Sequence, residues 1–374
     1  MAGTPPTVAV TVNRDRYAPG APFTAIVRAV DPDTMTETIP GGHDTLGRND
    51  TVTISRVDPL SLVVVTGLDA AFTVAATPGG FTITGTAPAS SAALAVTVAD
   101  AQGNQTTATC PITVVPPMLV GVDTAITGTQ QIAAVYAAHQ TLYPGLRYMR
   151  AFGPPTKGIP GFGVAPIAEM PNTATPHVSF KDTPTAALLG GWLDGVTRKA
   201  FLTAHHEPEG DLTVDAYRAG WATTQAARDA HPNGHLVTTV SVLTRYAEVH
   251  KAYRWQDWAC KADGTPVADW MSWDCYLDVT DRYTDPATFF APPLAAAKAL
   301  GTPWGVSELG ALRLASDPTG AGRAAWITDC VTYLREAGCR FVAWWCGPGK
   351  DGRTFHLDSY VPELAAWRAA VSGQ

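Results

Sequence analysis

The sequence predicts two folding units, an all-β sandwich followed by a (β/α)8 TIM barrel, and three observations carry that expectation. At 374 residues the chain exceeds the usual single domain, and its longer part is apolar enough for a full core. Up to position 116 it is rich in Thr, Val, Ala and Gly, with short alternating apolar runs between turn signals. Beyond that point strand-like and helix-like segments alternate for about 250 residues, the size and grammar of a barrel. The expected domains are therefore 1–116 and 117–374.

In the first unit the runs Val8–Val12, Phe23–Val27, Leu62–Val65, Phe81–Thr84 and Leu94–Val98 read as strands. Ala18-Pro19-Gly20, Pro40-Gly41-Gly42, Pro78-Gly79-Gly80 and Asp100–Asn104 read as the turns between them. Several short strands at this spacing argue for a sandwich. The closing run, Val96–Thr106 followed by Ile112–Val115, resembles the last hairpin of immunoglobulin-like modules. Pro116-Pro117 then forms a stiff junction.

Eight strand-like runs follow: Leu119–Asp123, Leu146–Phe152, His177–Phe180, Lys199–Ala204, Leu236–Val240, Trp270–Asp274, Trp304–Ser307 and Arg340–Trp345. Helices are expected at Thr129–His139, Thr213–Ala230, Pro286–Leu300, Gly322–Ala337 and Val361–Ser372. A doubly wound sheet would ordinarily open on a Gly-rich turn, and Asp123–Gly128 carries no such fingerprint.

Charge and composition narrow the function. The formal net charge is −7, and no Lys/Arg cluster interleaves with aromatics, so nucleic acid is not an expected partner and a neutral substrate fits better. Cys110, Cys260, Cys275, Cys330, Cys339 and Cys346 are too scattered for a disulfide framework or a zinc site and read as buried small residues. The start has no basic-then-apolar leader, and no stretch reaches about 18 uninterrupted apolar residues, so neither signal peptide nor membrane is expected. No cofactor is expected either.

Phe201–Asp211 organises the second unit: an apolar run stops in a cluster of titratable groups, as a buried strand does when it delivers side chains into a site. Pro303–Gly310 repeats the pattern and ends on one carboxylate. Glu207 then follows strand 4 and Glu308 follows strand 7, so in a barrel both face one mouth, a candidate acid/base pair.

These residues resemble retaining glycoside hydrolases of the large TIM-barrel clan, and most closely the β-mannanase-like family 26. The likeness rests on His206-Glu207-Pro208-Glu209-Gly210, on Asp269–Tyr276, on Glu308-Leu309-Gly310, and on the aromatic pair Trp344-Trp345, in that order along the chain. It implies Glu207 as acid/base and Glu308 as nucleophile, with the two carboxyl groups about 5–5.5 Å apart. Two positions depart from it. Thr203 stands where the mannanases carry an arginine, and Asp211-Leu212-Thr213 where they carry a tryptophan, which leaves mannan as substrate in doubt. A β-rich module ahead of such a barrel, without a leader, also resembles bacteriophage minor tail proteins. That likeness implies a virion-borne protein with other tail proteins as partners, the alternative being a cytoplasmic one.

Glu207 is favoured over its rival Glu209 because it directly follows the strand. His206 is expected to shift the acid's proton affinity. The pair His205-His206 lacks the second histidine four residues on that a zincin needs, so no metal is expected. Tyr276 can orient the nucleophile, Arg150 can hold its charge, and Asp274 can bind sugar hydroxyls. Trp273 and Trp345 are the expected stacking faces for sugar rings, with Trp345 rather than Trp344 turned inward. The function expected is a retaining endo-glycoside hydrolase on a β-linked surface or cell-wall polysaccharide. Transglycosylation through the same covalent intermediate is a further outcome, and a barrel that only binds glycan or builds a phage tail is the competing one.

Overall fold

The structure is a computed structural model. It describes residues 4–12, 16–17, 22–30, 34–43, 49–57, 60–66, 72–78, 80–86, 92–114, 117–125, 132–152, 171–181, 183–251, 253–277, 279–347, 355–358 and 360–373. The chain divides into two compact units, Met1–Pro117 and Met118–Gln374.

The first unit is all β. Its described strands are β1 (Thr7–Val12), β2 (Arg16–Tyr17), β3 (Pro22–Val30), β4 (Thr34–His43) and β5 (Asn49–Val57). They continue with β6 (Ser61–Thr66), β7 (Thr73–Thr77), β8 (Gly80–Thr86), β9 (Ala92–Ala99) and β10 (Gln105–Val114). Two four-stranded sheets, ordered β1-β3-β8-β7 and β2-β10-β9-β6, contribute to one core of Ala25, Val27, Ala29, Phe81, Ile83, Leu94, Val96, Val98 and Ile112. Strand β3 shows why: Ala25, Val27 and Ala29 are buried while Ile26 and Arg28 between them, and Val30 after them, are exposed, the period of two that a half-covered sheet imposes. The turn after β9 closes on Asp100, whose carboxylate accepts from the Asn104 backbone at 2.8 Å, with Gly103 at φ 86 supplying the left-handed step.

One expected turn is a strand. Pro40-Gly41-Gly42 lies inside β4, paired with β5, and a register shift between Pro40 and His43 absorbs the small residues. Ala18-Pro19-Gly20, Gly79, Val115 and Pro116 lie outside the described residues.

In the second unit β11 (Leu119–Ala125), β12 (Tyr148–Phe152), β13 (Thr175–Ser179) and β14 (Ala200–Thr203) are followed by four more strands. These are β15 (Val237–Thr244), β16 (Trp270–Tyr276), β17 (Trp304–Gly310) and β18 (Phe341–Trp345). All eight close in sequence order into a parallel barrel, consistent with the TIM architecture. The described helices are α1 (Ile132–Leu142), α2 (Ala186–Asp194), α3 (Val214–Ala230), α4 (Arg245–His250) and α5 (Trp255–Ala259). After them come α6 (Pro286–Phe289), α7 (Ala291–Leu300), α8 (Ala321–Glu336) and α9 (Val361–Ser372). The helix expected over Pro286–Leu300 breaks at Phe290, because Pro292 and Pro293 supply no N–H to continue the ladder and instead open α7. Helix α3 starts on Thr213, whose hydroxyl accepts from the Ala216 N–H. All six cysteines are unpaired thiols, and no described helix is long and apolar enough to cross a membrane.

Alternation sorts the strand residues into two layers. Tyr148, Phe201, Val240, Val242, Phe341 and Ala343 form a cluster inside the barrel, capped by Trp270. Val122, Met149, Val178, Leu202, Met271, Val306 and Trp344 belong instead to the layer beneath the helices. The first strand fits only because Gly121 has no side chain: a Cβ there would lie 2.0 Å from the Tyr148 carbonyl oxygen. Gly121→Ala is therefore expected to destabilise by about 1–3 kcal/mol or more. Gly190→Ala in α2, where a Cβ meets nothing within 4 Å, should instead be neutral or stabilising. Equal thermal midpoints for the two variants would contradict this.

Candidate active site

The mouth of the barrel gathers side chains from neighbouring strand ends around one guanidinium. Arg150, at the middle of β12, is fully buried. Its Nη1 donates to Glu308 Oε1 at 2.8 Å and to Asp274 Oδ1 at 3.3 Å, and lies 3.9 Å from Asp123 Oδ2. Its Nη2 donates to the Ser179 hydroxyl at 3.0 Å. Tyr276, ending β16, donates its hydroxyl to the other oxygen of Glu308. Glu308 thus receives a donor on each oxygen, which suits a carboxylate held charged and fixed in orientation.

A β-bulge delivers Glu308. Trp273 pairs with Val306, but the next residue, Asp274, pairs with Glu308, so Ser307 is an extra residue in β17. Simple alternation would send Glu308 outward after the inward Ser307, whose hydroxyl bonds Ser272. The extra residue re-aims Glu308 into the mouth and returns Leu309 to the outer core.

Three acids around one arginine are crowded. Burial first, then the charge of Glu308, pushes Asp274 well above the usual carboxylate range; Arg150 opposes. Asp123 is raised well above its ordinary value for the same leading reason, and neither of its buried oxygens has a hydrogen-bond partner. A proton on these carboxyls relieves the crowding.

From Arg150 a chain of hydroxyl and imidazole leads to the acid/base loop. Ser179 Oγ lies 3.1 Å from His206 Nδ1. Burial, then the charge of Arg150, holds His206 well below its usual value, so the ring is neutral. Ser179 has one proton and two acceptor sites, so besides accepting from Arg150 it can either donate to Nδ1 or accept from it. A parallel link fills the place of Thr203, whose hydroxyl donates to the Val240 carbonyl and meets His177 Nε2, both at 2.8 Å.

Glu207 follows on a backbone with φ 49, the only non-glycine residue at positive φ among those described. Its N–H donates to the Val242 carbonyl at 3.0 Å, and its side chain keeps 35% of its area open. Burial, then the charge of Glu308, raises its proton affinity, against Lys181 and Arg150. Glu209 points elsewhere: its carboxylate accepts from the Thr244 N–H at 2.8 Å and sits 3.3 Å from the Thr244 hydroxyl. Burial pushes that carboxyl up to about 7.

Trp345 is half-buried and in register with Asp123, whose carboxylate faces Arg150, so it shares the inward side. Trp344 packs 5.5 Å from Trp367 of α9. Trp273 requires a correction. It is fully buried in the layer beneath the helices and lines, with Glu209, Trp255 and Trp258, a narrow hollow behind the barrel wall. No sugar ring can stack on it, because β16 turns Asp274 and Tyr276 inward and therefore Trp273 outward.

Asp123, Ser179 and Lys181 join the cluster without having been singled out in the sequence. Asp123 ends the apolar run Leu119–Val122, a signal that could have found it; Ser179 and Lys181 carry none. Among the described residues no three His, Cys, Asp or Glu side chains group as metal ligands.

No family model and no curated protein matches the chain. Among solved structures it is similar to a family 39 glycoside hydrolase from Bacteroides cellulosilyticus WH2. The identity is 15%, the match covers 84% of this chain and 76% of that one, and the TM-score is 0.47. An endo-β-1,4-glucanase from Xanthomonas axonopodis pv. citri gives 11% identity, 69% and 100% coverage and a TM-score of 0.46. An endo-β-1,4-mannanase from Thermotoga petrophila gives 11%, 68% and 76%, and 0.42. At such scores these likenesses add nothing to the geometry above.

Proposed function

We propose that the barrel is a retaining endo-glycoside hydrolase acting on a β-linked polysaccharide of a cell surface or wall, with Glu308 as nucleophile and Glu207 as acid/base. The observation that carries the reading is the contrast between the two glutamates. Glu308 is gripped by Arg150 and Tyr276 in a way that suits a charged carboxylate, while Glu207 has its proton affinity raised by burial and by Glu308 itself. In the first step a Glu308 oxygen bonds the anomeric carbon as the glycosidic C–O bond breaks and Glu207 gives its proton to the departing oxygen. In the second step Glu207 takes a proton from water, the water oxygen bonds the anomeric carbon, and the ester to Glu308 breaks.

Trp345 is assigned to the face of a sugar ring, whereas Asp274, 1% exposed and turned to Arg150, serves the guanidinium rather than the sugar hydroxyls expected of it. The His206–Gly210 motif supports a family 26-like active site, and the β-rich first unit supports an immunoglobulin-like module on a virion, bound to other tail proteins. Both are finer readings that rest on sequence likeness.

Glu207→Gln tests the assignment. On polysaccharide its kcat is expected to fall about 100- to 10,000-fold. On a dinitrophenyl glycoside, whose leaving group needs no proton, the first step should be nearly unaffected, and azide should restore turnover with retained configuration. In the wild type kcat/KM should decline as pH rises past the raised value of Glu207, where the proton needed for the leaving oxygen is lost. Undiminished polysaccharide hydrolysis by the variant would remove Glu207 from the role. Glycan binding with no reducing-end release from any of a panel of β-glucans, mannans and xylans would instead favour a barrel that only binds.

A further inference from the structure

The one strained backbone position at this site is also the one most heavily tied down. Glu207 adopts a left-handed conformation that a non-glycine residue rarely takes, and such residues persist where the surroundings over-determine them. Lys181, two residues beyond the end of β13, reaches across to the loop after β14. Its Nζ donates to the His206 carbonyl at 3.1 Å and to the Glu207 carbonyl at 3.2 Å, and pairs with Asp211 Oδ2 at 2.7 Å. An ammonium has three donors, and these three acceptors use them. The Glu207 carboxylate, 3.7 Å away, then feels the charge without taking a donor of its own. From the opposite side Glu209 ties the same loop to Thr244 at the end of β15.

We propose that Lys181 is a positioning residue for Glu207, its ammonium strapping the two carbonyls on either side of the left-handed turn while Asp211 fixes the ammonium. The inference rests on the acid/base role given to Glu207 above. The strap joins adjacent strand ends, so the carboxyl group is held relative to the barrel rather than to its own loop. Misplacing a reacting group by about 1 Å can cost 100-fold in rate, so loss of the strap should act on proton donation. The charged groups bearing on the Glu207 carboxyl are Lys181 from beyond β13, Asp211 and Glu209 in its own loop, Arg150 from β12, Asp274 from β16 and Glu308 from β17. Of these, Lys181 and Arg150 favour the ionised form.

The test compares Lys181→Met, Lys181→Arg and Asp211→Asn with the wild type, using polysaccharide, a dinitrophenyl glycoside and a carbon-13 titration of the Glu207 carboxyl. In Lys181→Met, kcat on polysaccharide should fall about 10- to 100-fold with KM little changed. The first step on the activated glycoside should be untouched, and the Glu207 titration should move to higher pH. Lys181→Arg should return most of both, and Asp211→Asn should show a smaller loss of the same pattern. An unmoved titration in Lys181→Met, or equal losses on both substrates, would overturn the strap. If the wild type cleaves no glycan, the hydrolase reading falls by itself, and the titration still decides whether Lys181 governs Glu207.

Discussion

Glu308→Ala is expected to reduce polysaccharide hydrolysis by at least about 10,000-fold, the largest activity loss of any single substitution in this chain. Among the described residues beside Arg150, none can replace it as nucleophile. Asp274 and Asp123 are the nearest carboxyls, but both are fully buried and both are driven toward the protonated form. With azide added, an activated glycoside should turn over on Glu308→Ala to the azide of inverted configuration, because the small anion attacks from the face the carboxylate occupied. The Glu207 variant should give the retained one. The same configuration from both variants would show that the two glutamates do not stand on opposite faces of the sugar.

The same substitution should leave stability intact or slightly improved. Arg150 serves three acids at once, and removing Glu308 leaves it with Asp274 at 3.3 Å and Asp123 at 3.9 Å, a less crowded set. Deleting one partner of a buried ion pair ordinarily destabilises because an unpaired charge remains. Here Glu308 is itself one of the charges that keep Asp274 and Asp123 protonated, so its deletion lets them ionise and take its place beside Arg150. A thermal midpoint well below the wild type would mean that Glu308 is a structural member of the cluster first and a reacting group second.

The layout of the barrel was legible because each of its strands carries an apolar run, and the intervening helices show their own period or end signals. The side chains of the site were legible only where a polar residue interrupts an apolar strand and keeps simple alternation, as at Arg150 in the middle of β12. Trp273 shows the rule neglected. Its neighbours Asp274 and Tyr276 lie at even spacing and share one face, so the same period had already assigned Trp273 to the other. Glu308 shows the rule broken, since the extra Ser307 shifts the register by one residue and no sequence pattern announces a bulge. Pro40-Gly41-Gly42 is the reverse case, turn chemistry accommodated inside a strand by a register shift. Lys181 is legible nowhere in the chain, because a lysine after a short strand is most often a solvated one and only the carbonyls it meets distinguish it.

Arg150→Met should produce the largest loss of stability, about 3–5 kcal/mol, or roughly a 10 °C fall in the thermal midpoint of the barrel. Methionine fills similar space but leaves Asp123, Asp274 and Glu308 without the cation that contacts all three. The loss has a definite pH dependence. Asp123 and Asp274 already have folded values well above their ordinary 3.8, and removing Arg150 raises them further. A carboxyl whose folded value is raised binds more protons folded than unfolded, so stability falls as pH climbs from about 4 through that raised value. The difference from wild type should therefore widen as pH rises and shrink toward about pH 4. His177 and His206 act in the same direction, because Arg150 depresses both and its loss lets them accept protons with less penalty in acid. Urea unfolding of both proteins at pH 4.5, 6 and 7.5 measures the trend. A deficit that is flat across this range, or that grows on acidification, would mean the acids around Arg150 are not competing for its charge, and with that the crowding that raises Asp274 and Asp123 would be gone.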